Sequence, residues 1–148
     1  MAECVMELAD AFSFVRGRRQ GVVTTIRSSG RPQLSNIVYA LGDDDVAGIS
    51  VTDSRAKTTN LRRDPRASLY VVGDDFWSYV VLDATAELTP VANDPADQTV
   101  EELVAVYRAV AGEHPDWGEF RRDMVAEGRL VVRLHFDHAY GMVPDQSR

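Results

Sequence analysis

The sequence predicts a mainly β protein of the α+β class, in which about six antiparallel strands form a small closed barrel with helices packed on it. Three observations favour this fold class. Strand-like segments rich in β-branched residues recur along the chain. Short turn signals, such as 28–30 and 42–45, follow several of these segments, as in hairpins. The regular exchange of strand and helix that a doubly wound sheet requires does not occur.

The first half of the chain is predicted to contain a helix, four strands and a second, short helix. Apolar residues recur at helical spacing from Val5 to Val15, so a helix is expected over roughly residues 3–16. The short helix follows the third strand and is closed by Pro65. Alternating or β-branched segments predict strands at 21–26, 33–41, 46–51 and 67–72.

The second half adds a long strand, two helices and a last strand. An alternating pattern of side chains over residues 76–88 predicts one long strand. A strand of this length usually bends or carries a bulge. Asp94 and Pro95 are predicted to open a helix, with Pro95 at its first position, and a second helical stripe ends at Gly128. An alternating pattern of side chains recurs over residues 129–136 and predicts the last strand.

Composition and charge indicate one acidic domain over residues 1–148. Apolar residues make up 45% and charged residues 26% of the chain, which is ordinary for a globular protein with a core. The net charge of −7 argues against general affinity for nucleic acid or an anionic membrane. Cys4 is the only cysteine, the N-terminus lacks the basic region of a signal peptide, and no apolar run reaches membrane-spanning length. We therefore expect a cytoplasmic protein.

Several kinds of catalytic and metal site are not predicted. No glycine-rich nucleotide motif occurs, and no serine or cysteine has the setting of a nucleophile. His114, His135 and His138 lack metal-ligand spacing with a cysteine or a carboxylate cluster, and His135 and His138 are expected to point to opposite faces of a strand. We therefore predict neither a metal site nor a catalytic side chain.

The stretch 50–60 is the strongest candidate for a binding site. Asp53 or Ser54 is expected to cap the short helix, because its side-chain oxygen can accept a hydrogen bond from the first turn. Arg55 and Lys57 then place two cations at the positive end of the helix dipole, where each costs a few tenths to ~1 kcal/mol unless an anion is bound. Free amides, hydroxyls and cations together suit a phosphate, although the anion could equally be a partner's carboxylate or a sulfate. Alternatively, both cations project into water, which screens the dipole.

A second candidate is the segment 30–39, in which polar residues precede apolar ones. Gln33 and Ser35 share one face of the predicted strand, and Asn36 lies on the other face. Polar groups at one end of a strand can hydrogen-bond the edge of a heterocycle, or they are simply a solvated strand end.

A third candidate is the aromatic pair Trp77 and Tyr79, which share a face if residues 76–88 form one strand. Large amphipathic rings of this kind can wall a ring-binding slot. They can also form a subunit interface or belong to the core. The residues alone do not separate these three alternatives.

The order of these segments resembles that of a known family. Residues 30–36 read Gly-Arg-Pro-Gln-Leu-Ser-Asn, residues 54–57 read Ser-Arg-Ala-Lys, and residues 77–79 read Trp-Ser-Tyr. Nearly the whole chain is similar to the flavin/deazaflavin-dependent oxidoreductases, and in particular to the pyridoxamine-phosphate-oxidase-like split β-barrels of actinobacteria. The Ser-Arg-Ala-Lys block is the most specific part of this resemblance.

The resemblance implies a six-stranded antiparallel split β-barrel of the FMN-binding type, which forms a homodimer with two cofactor sites at its interface. It implies FMN or the deazaflavin coenzyme F420 as cofactor, with the cofactor's phosphate at Arg55 and Lys57. The cofactor-binding residues that it implies are Arg55, Ala56, Lys57, Thr58 and Asn60 at the phosphate, Gln33, Ser35 and Asn36 at the ring, Ser50, Val51 and Thr52 beside the linker, and Trp77 and Tyr79 from the second subunit.

The end of the chain departs from the true pyridoxamine phosphate oxidases. Those enzymes end in an aromatic-arginine substrate motif, whereas residues 140–144 read Tyr-Gly-Met-Val-Pro, so oxidation of vitamin B6 is not expected. The Arg-Ala-Lys-Thr sequence is more similar to the deazaflavin users, which favours F420 over FMN. The resemblance thus implies an F420-dependent reductase that transfers hydride to a small electron-poor acceptor. The alternatives are an FMN-dependent oxidoreductase and a non-catalytic F420-binding protein. Arg31, Arg62 and Arg63 are either contacts for a polyglutamate tail or solvated cations.

Overall fold

Eight strands and four helices follow one another in the structure, a computed structural model that describes residues 4–144. The strands are β1 (Cys4–Met6), β2 (Gln20–Ile26), β3 (Pro32–Val38), β4 (Ala40–Leu41), β5 (Val46–Thr52), β6 (Arg66–Val72), β7 (Tyr79–Leu88) and β8 (Arg129–Met142). The helices are α1 (Leu8–Arg16), α2 (Ala56–Arg63), α3 (Gln98–Ala111) and α4 (Trp117–Ala126).

All strand pairs are antiparallel, and the sheet order is β3-β2-β6-β7-β8-β5-β4, with β1 added beside β8. The sheet curls until β3 and β5 come into contact, although they are not hydrogen-bonded neighbours. The result is a half-barrel with flanking helices, which confirms the predicted split-barrel fold class.

Two of the eight strands were not expected, and each is a short addition at an edge. Residues 4–6 were predicted to belong to the first helix, but they form a strand because they pair with residues 139–141. This pairing is possible because β8 continues past its predicted end at Phe136. β4 is separate from β3 because Tyr39 interrupts the ladder. The amide of Tyr39 donates to the carbonyl of Arg19 at 2.8 Å, and its buried hydroxyl donates to the carbonyl of Val15 at 2.7 Å.

β7 begins at Tyr79, so the prediction of a strand from Phe76 is wrong at its start. The amide of Ser78 donates to the carbonyl of Asp75 at 2.9 Å, and the amide of Trp77 donates to the carboxylate of Asp75 at 3.0 Å. These two bonds form a turn. Phe76 and Trp77 therefore lie in the turn between β6 and β7 rather than in the strand.

The irregularity expected in the long strand occurs at its pairing with β8. Asp83 pairs with His138 and Ala84 with Phe136, so Asp137 is an extra residue on β8. The bulge shifts the alternation by one position. His135 and His138 therefore lie on the same face, where they contact Glu87 and Asp83, and the prediction of opposite faces is wrong.

The core has two parts, one on each side of the sheet. The barrel interior holds Leu69, Leu82 and Leu134, together with Val15 of α1 and Leu61 of α2. The second part lies on the other side of β8, because Val131 faces outward while its neighbours face the interior. There α3 and α4 cover the sheet, and their buried residues include Val100, Leu103, Val104, Phe120 and Met124.

Helix α3 begins three residues later than predicted, at Gln98. Asp97 is its N-cap, because the carboxylate accepts hydrogen bonds from the amides of Val100 (2.8 Å), Asn93 (2.9 Å) and Asp94 (3.1 Å). Pro95 therefore lies in the loop before the helix. None of the helices formed by residues 4–144 combines the length and the apolar surface that crossing a membrane requires.

Candidate functional site

Helix α2 starts without the cap that the sequence predicts. Its N-cap residue is Arg55, and among residues 4–144 no side chain caps it. Asp53, one of the two expected caps, instead forms an ion pair with Arg62, and Ser54 provides no cap bond. The amides of the first helical turn are therefore not consumed by a side chain, and they can bind an anion.

Lys57 is the only lysine in the sequence, and it lies in the first turn of α2. The side chain is partly buried, and this burial lowers its pKa from the ordinary value, with the charges of Arg55 and Arg129 lowering it further. A cation that is both desolvated and repelled by two others is stabilised by a bound anion. The electrostatics therefore fit a phosphate at this position.

Arg129 is a member of this cation cluster that the sequence analysis did not identify. It is the first residue of β8 and pairs with Thr52 of β5, so the sheet brings it to the start of α2. Its Nη1 donates to Ser50 Oγ at 3.3 Å. A signal for it could have come only from the pairing of β5 with β8, which no local pattern reveals.

Thr58 and Asn60 hold α2 in place with their side chains. The buried hydroxyl of Thr58 donates to the carbonyl of Thr52 at 2.8 Å. The amide of Asn60, also buried, donates to the hydroxyl of Thr25 at 3.1 Å. Both side chains are thus committed to contacts within the protein, and they position Lys57 relative to β5 and β2.

Strand alternation divides the three predicted residues of β5. Val51 points into the barrel interior and is 2% exposed. Ser50 and Thr52 point to the other face, and Ser50 meets Arg129 there. The side chains of Ser50 and Thr52 are therefore on the same side of β5 as the cation cluster, whereas that of Val51 belongs to the core.

The predicted ring-binding residues of β3 are also divided between two faces. Gln33 pairs with Thr25 and Ser35 with Val23, so both lie on the interior face against which α2 packs. Asn36 lies on the outer face, which confirms the expected division of β3. β3 contacts both α2 and β5, so Gln33 and Ser35 lie on the strand that adjoins these two elements.

Trp77 and Tyr79 are on the outer face or at its end, away from the interior. The Tyr79 ring packs on Tyr70 with 5.5 Å between centroids, while Trp77 is 68% exposed and packs edge-on against Phe76. A shallow groove of about 460 Å³ adjoins Tyr70, on which the Tyr79 ring packs. It is lined by Gln20, Gly21, Val22, Asn36, Ile37, Val38, Tyr70 and Val72.

The three arginines considered for an anionic tail have different surroundings. Arg62 pairs with Asp53, and Arg63 donates to the carbonyl of Ile26 and to the side chain of Asn60. Arg31 is exposed in the turn before β3. Arg62 and Arg63 therefore have structural partners that account for them.

Comparison with known proteins gives one family and several solved structures of the same fold. The sequence model of the family described as pyridoxamine 5'-phosphate oxidase matches residues 9–142. A conserved hypothetical protein from Mycobacterium tuberculosis is 25% identical, with a TM-score of 0.70 over 100% of this chain and 95% of that chain. A structure described as an F420 reductase is 22% identical, with a TM-score of 0.62 over 86% of this chain and 94% of that chain.

A third similar structure is described as an FAD-binding protein from Mesorhizobium loti. It is 17% identical, with a TM-score of 0.65 over 95% of this chain and 96% of that chain. At such identities the latter two structures show a shared fold. They do not identify the cofactor of this chain.

Proposed function

The chain belongs to the pyridoxamine 5'-phosphate oxidase-like family of flavin-binding split barrels, and we propose that within it the protein is a coenzyme F420-dependent oxidoreductase. The observation that carries this proposal is the cation cluster at the start of α2. Arg55 and a partly buried Lys57 stand beside uncapped helix amides, an arrangement suited to a cofactor phosphate.

In this proposal, the protein binds and orients a cofactor that carries the chemistry. Reduced F420, when bound, supplies a hydride for an electron-poor double bond in a small organic acceptor. Arg55 and Lys57 hold the phosphate, while Gln33 and Ser35 provide hydrogen-bonding groups on β3, which contacts both α2 and β5. Thr58 and Asn60 act by fixing α2.

The preference for F420 rests on the Arg-Ala-Lys-Thr sequence at 55–58, and a structure described as an F420 reductase shares the fold. FMN is the alternative cofactor, because the same cations suit its phosphate and the family binds flavins. A non-catalytic F420-binding protein is the third candidate. Electron transfer to a panel of acceptors separates this last candidate from the two enzymes.

We also propose that the protein is a homodimer, with its outer sheet face as the interface. α3 and α4 cover the outer side of β4, β5 and β8, whereas within residues 4–144 no comparable helix packing covers the outer side of β1, β2, β3, β6 and β7. Within residues 4–144, that uncovered face and the turn at its end carry all the exposed large apolar side chains, which favours association. They are Val5, Leu34, Val38, Val72, Phe76 and Trp77.

A binding titration tests the proposed cofactor. The apoprotein is titrated with F420 and, separately, with FMN, and tryptophan quenching is followed for the natural sequence and for Lys57→Ala. We expect micromolar binding of F420, weaker binding of FMN, and loss of both in the variant. Tight FMN binding without F420 binding would establish the flavin alternative, and binding of neither would overturn the proposal.

The two tryptophans provide a matched control for the arrangement of the dimer. Trp77 lies at the outer face, whereas Trp117 packs edge-on against Tyr107 at the α3–α4 end. If Trp77 reaches the cofactor of the second subunit, Trp77→Phe removes most of the quenching and Trp117→Phe leaves it. Equal quenching in the two variants would contradict this placement of Trp77.

A further inference from the structure

Main-chain hydrogen bonds fix the position of Arg129 beside the first turn of α2. Arg129 pairs with Thr52 in the register of β5 and β8. At the next position, one residue after Thr52 and one residue before Arg129, the amide of Asp53 donates to the carbonyl of Gly128 at 2.9 Å. The turn before α2 and the turn before β8 are thus joined. The pairing of the sheet therefore fixes the backbone position of Arg129, which does not belong to a free loop.

Two neighbours orient the Arg129 guanidinium. Its Nε donates to a carboxylate oxygen of Glu127 at 2.9 Å, and its Nη1 donates to Ser50 Oγ at 3.3 Å. Within residues 4–144, Nη2 has no acceptor, and the side chain is 31% exposed. A guanidinium held by two of its nitrogens presents the third as a fixed donor.

Positive charge is in excess at this place. Burial lowers the pKa of Lys57, and the charges of Arg55 and Arg129 act in the same direction. In the part of the chain that the structure describes, no carboxylate forms an ion pair with Arg55 or Lys57. Glu127 offsets only one of the three cations, and an exposed pair of this kind contributes little. The excess is compensated when an anion binds between the side chains.

We propose that Arg129 is a third cationic ligand, beside Arg55 and Lys57, for a phosphate ester bound at the start of α2. The inference rests on the proposed function in one respect, namely that the ester belongs to a flavin or a deazaflavin. A guanidinium contributes what an ammonium cannot, because its planar donors match two phosphate oxygens at once. Arg129 therefore contributes to affinity for the phosphate and not to affinity for the ring.

The experiment compares Arg129→Gln and Arg129→Lys with Arg122→Gln, a control at an exposed arginine of α4. Each protein is titrated with F420, FMN, riboflavin and inorganic phosphate. Tryptophan quenching reports the first three, and the side-chain resonances of Lys57 report phosphate, because selective lysine labelling gives one set of signals. Arg129→Gln is expected to weaken the affinity for FMN and for F420 by about tenfold, the typical effect of one charge-assisted hydrogen bond.

The same substitution is expected to leave riboflavin, which lacks the phosphate, unchanged, and to reduce the response of Lys57 to inorganic phosphate. Arg129→Lys gives an intermediate loss, and Arg122→Gln gives none. Equal affinity of natural and Arg129→Gln proteins for every phosphate-bearing probe would overturn the inference, as would an equal loss for riboflavin. If neither cofactor binds but phosphate binding still depends on Arg129, the proposed function fails and the inference stands. If F420, FMN and inorganic phosphate all fail to bind, both the proposed function and the inference are overturned.

Discussion

The side chain of Asn60 donates a hydrogen bond to the hydroxyl of Thr25 at 3.1 Å inside the barrel, and so attaches helix α2 to strand β2. The two groups are 6% and 0% exposed. Asn60 lies one turn after Lys57, so this buried bond fixes the orientation of the helix turn that carries the cation. Part of the candidate site is therefore built by residues that need not touch a ligand.

We expect Asn60→Ala to lower the free energy of unfolding by about 1–3 kcal/mol, because it leaves the buried hydroxyl of Thr25 without its partner. Urea unfolding followed by circular dichroism measures this loss. The control Thr59→Ala, at an exposed position of the same helix, is expected to change stability by less than half a kcal/mol, roughly the surface norm. In a double-mutant cycle with Thr25→Val, the two losses should not add, and simple additivity would contradict the coupling.

Lys57→Met is expected to stabilise the ligand-free protein at pH 7 by a few tenths to ~1 kcal/mol, because it removes a cation from the positive end of a helix. The lowered pKa of Lys57 means that the unfolded chain holds this proton more tightly than the folded chain. The penalty is therefore complete below the folded pKa and is relieved as pH rises toward the ordinary value of 10.5.

The measurement for Lys57→Met is thermal unfolding of both proteins between pH 7 and pH 10.5 without ligand. The stability difference should shrink across that interval. The same variant should lose affinity for phosphate-bearing ligands, so stability and binding move in opposite directions. A variant that is less stable than the natural protein at pH 7 would contradict the account of a strained cation.

Asp97→Ala is expected to lower the free energy of unfolding by about 1–2 kcal/mol at pH 7, because the carboxylate caps α3. Desolvation raises the pKa of Asp97, but hydrogen bonds from the amides of Asn93, Val100 and Asp94 outweigh it, so the pKa lies below the ordinary 3.8. The contribution is thus present above pH 3.8 and is lost as pH falls through the folded pKa.

Chemical denaturation of Asp97→Ala and the natural protein between pH 7 and pH 2.5 tests this sign. The matched comparison is Asp116→Ala, which removes the cap of α4, where the carboxylate accepts a bond from the amide of Glu119 at 3.0 Å. Asp116→Ala should lower the free energy of unfolding by less, because Asp97 also accepts hydrogen bonds from the loop that precedes α3. Equal losses that do not depend on pH would contradict this reasoning.

Val72→Arg is expected to convert the proposed homodimer into a folded monomer. Val72 is 41% exposed on the outer face of β6, where a buried unpaired charge at an interface is costly. Sedimentation velocity gives the assembly state, and far-ultraviolet circular dichroism shows that the fold is retained. Ala105→Arg places the same charge at an exposed position on α3 and should leave the dimer intact. A natural protein that sediments as a monomer would refute the proposed interface.

Local patterns were sufficient for most elements of the fold. The β-branched segments at 46–51 and 67–72 lie in strands within one residue of their predicted bounds, because alternation with one apolar face is a short-range property. The same holds for the cations at Arg55 and Lys57, whose place at a helix start follows from the strand before them and from Pro65 after them.

Features that depend on the pairing of distant strands could not be predicted from local patterns. Arg129 joins Lys57 because β5 and β8 pair in one register, and His135 joins the face of His138 because Asp137 bulges out of that pairing. Trp77 is a separate case, because a local turn at the carboxylate of Asp75 keeps it outside β7. Cross-strand register depends on the packing of the whole barrel. Residue order along the chain therefore indicates which elements form and where cations begin a helix, while the folded sheet sets which distant side chains meet there.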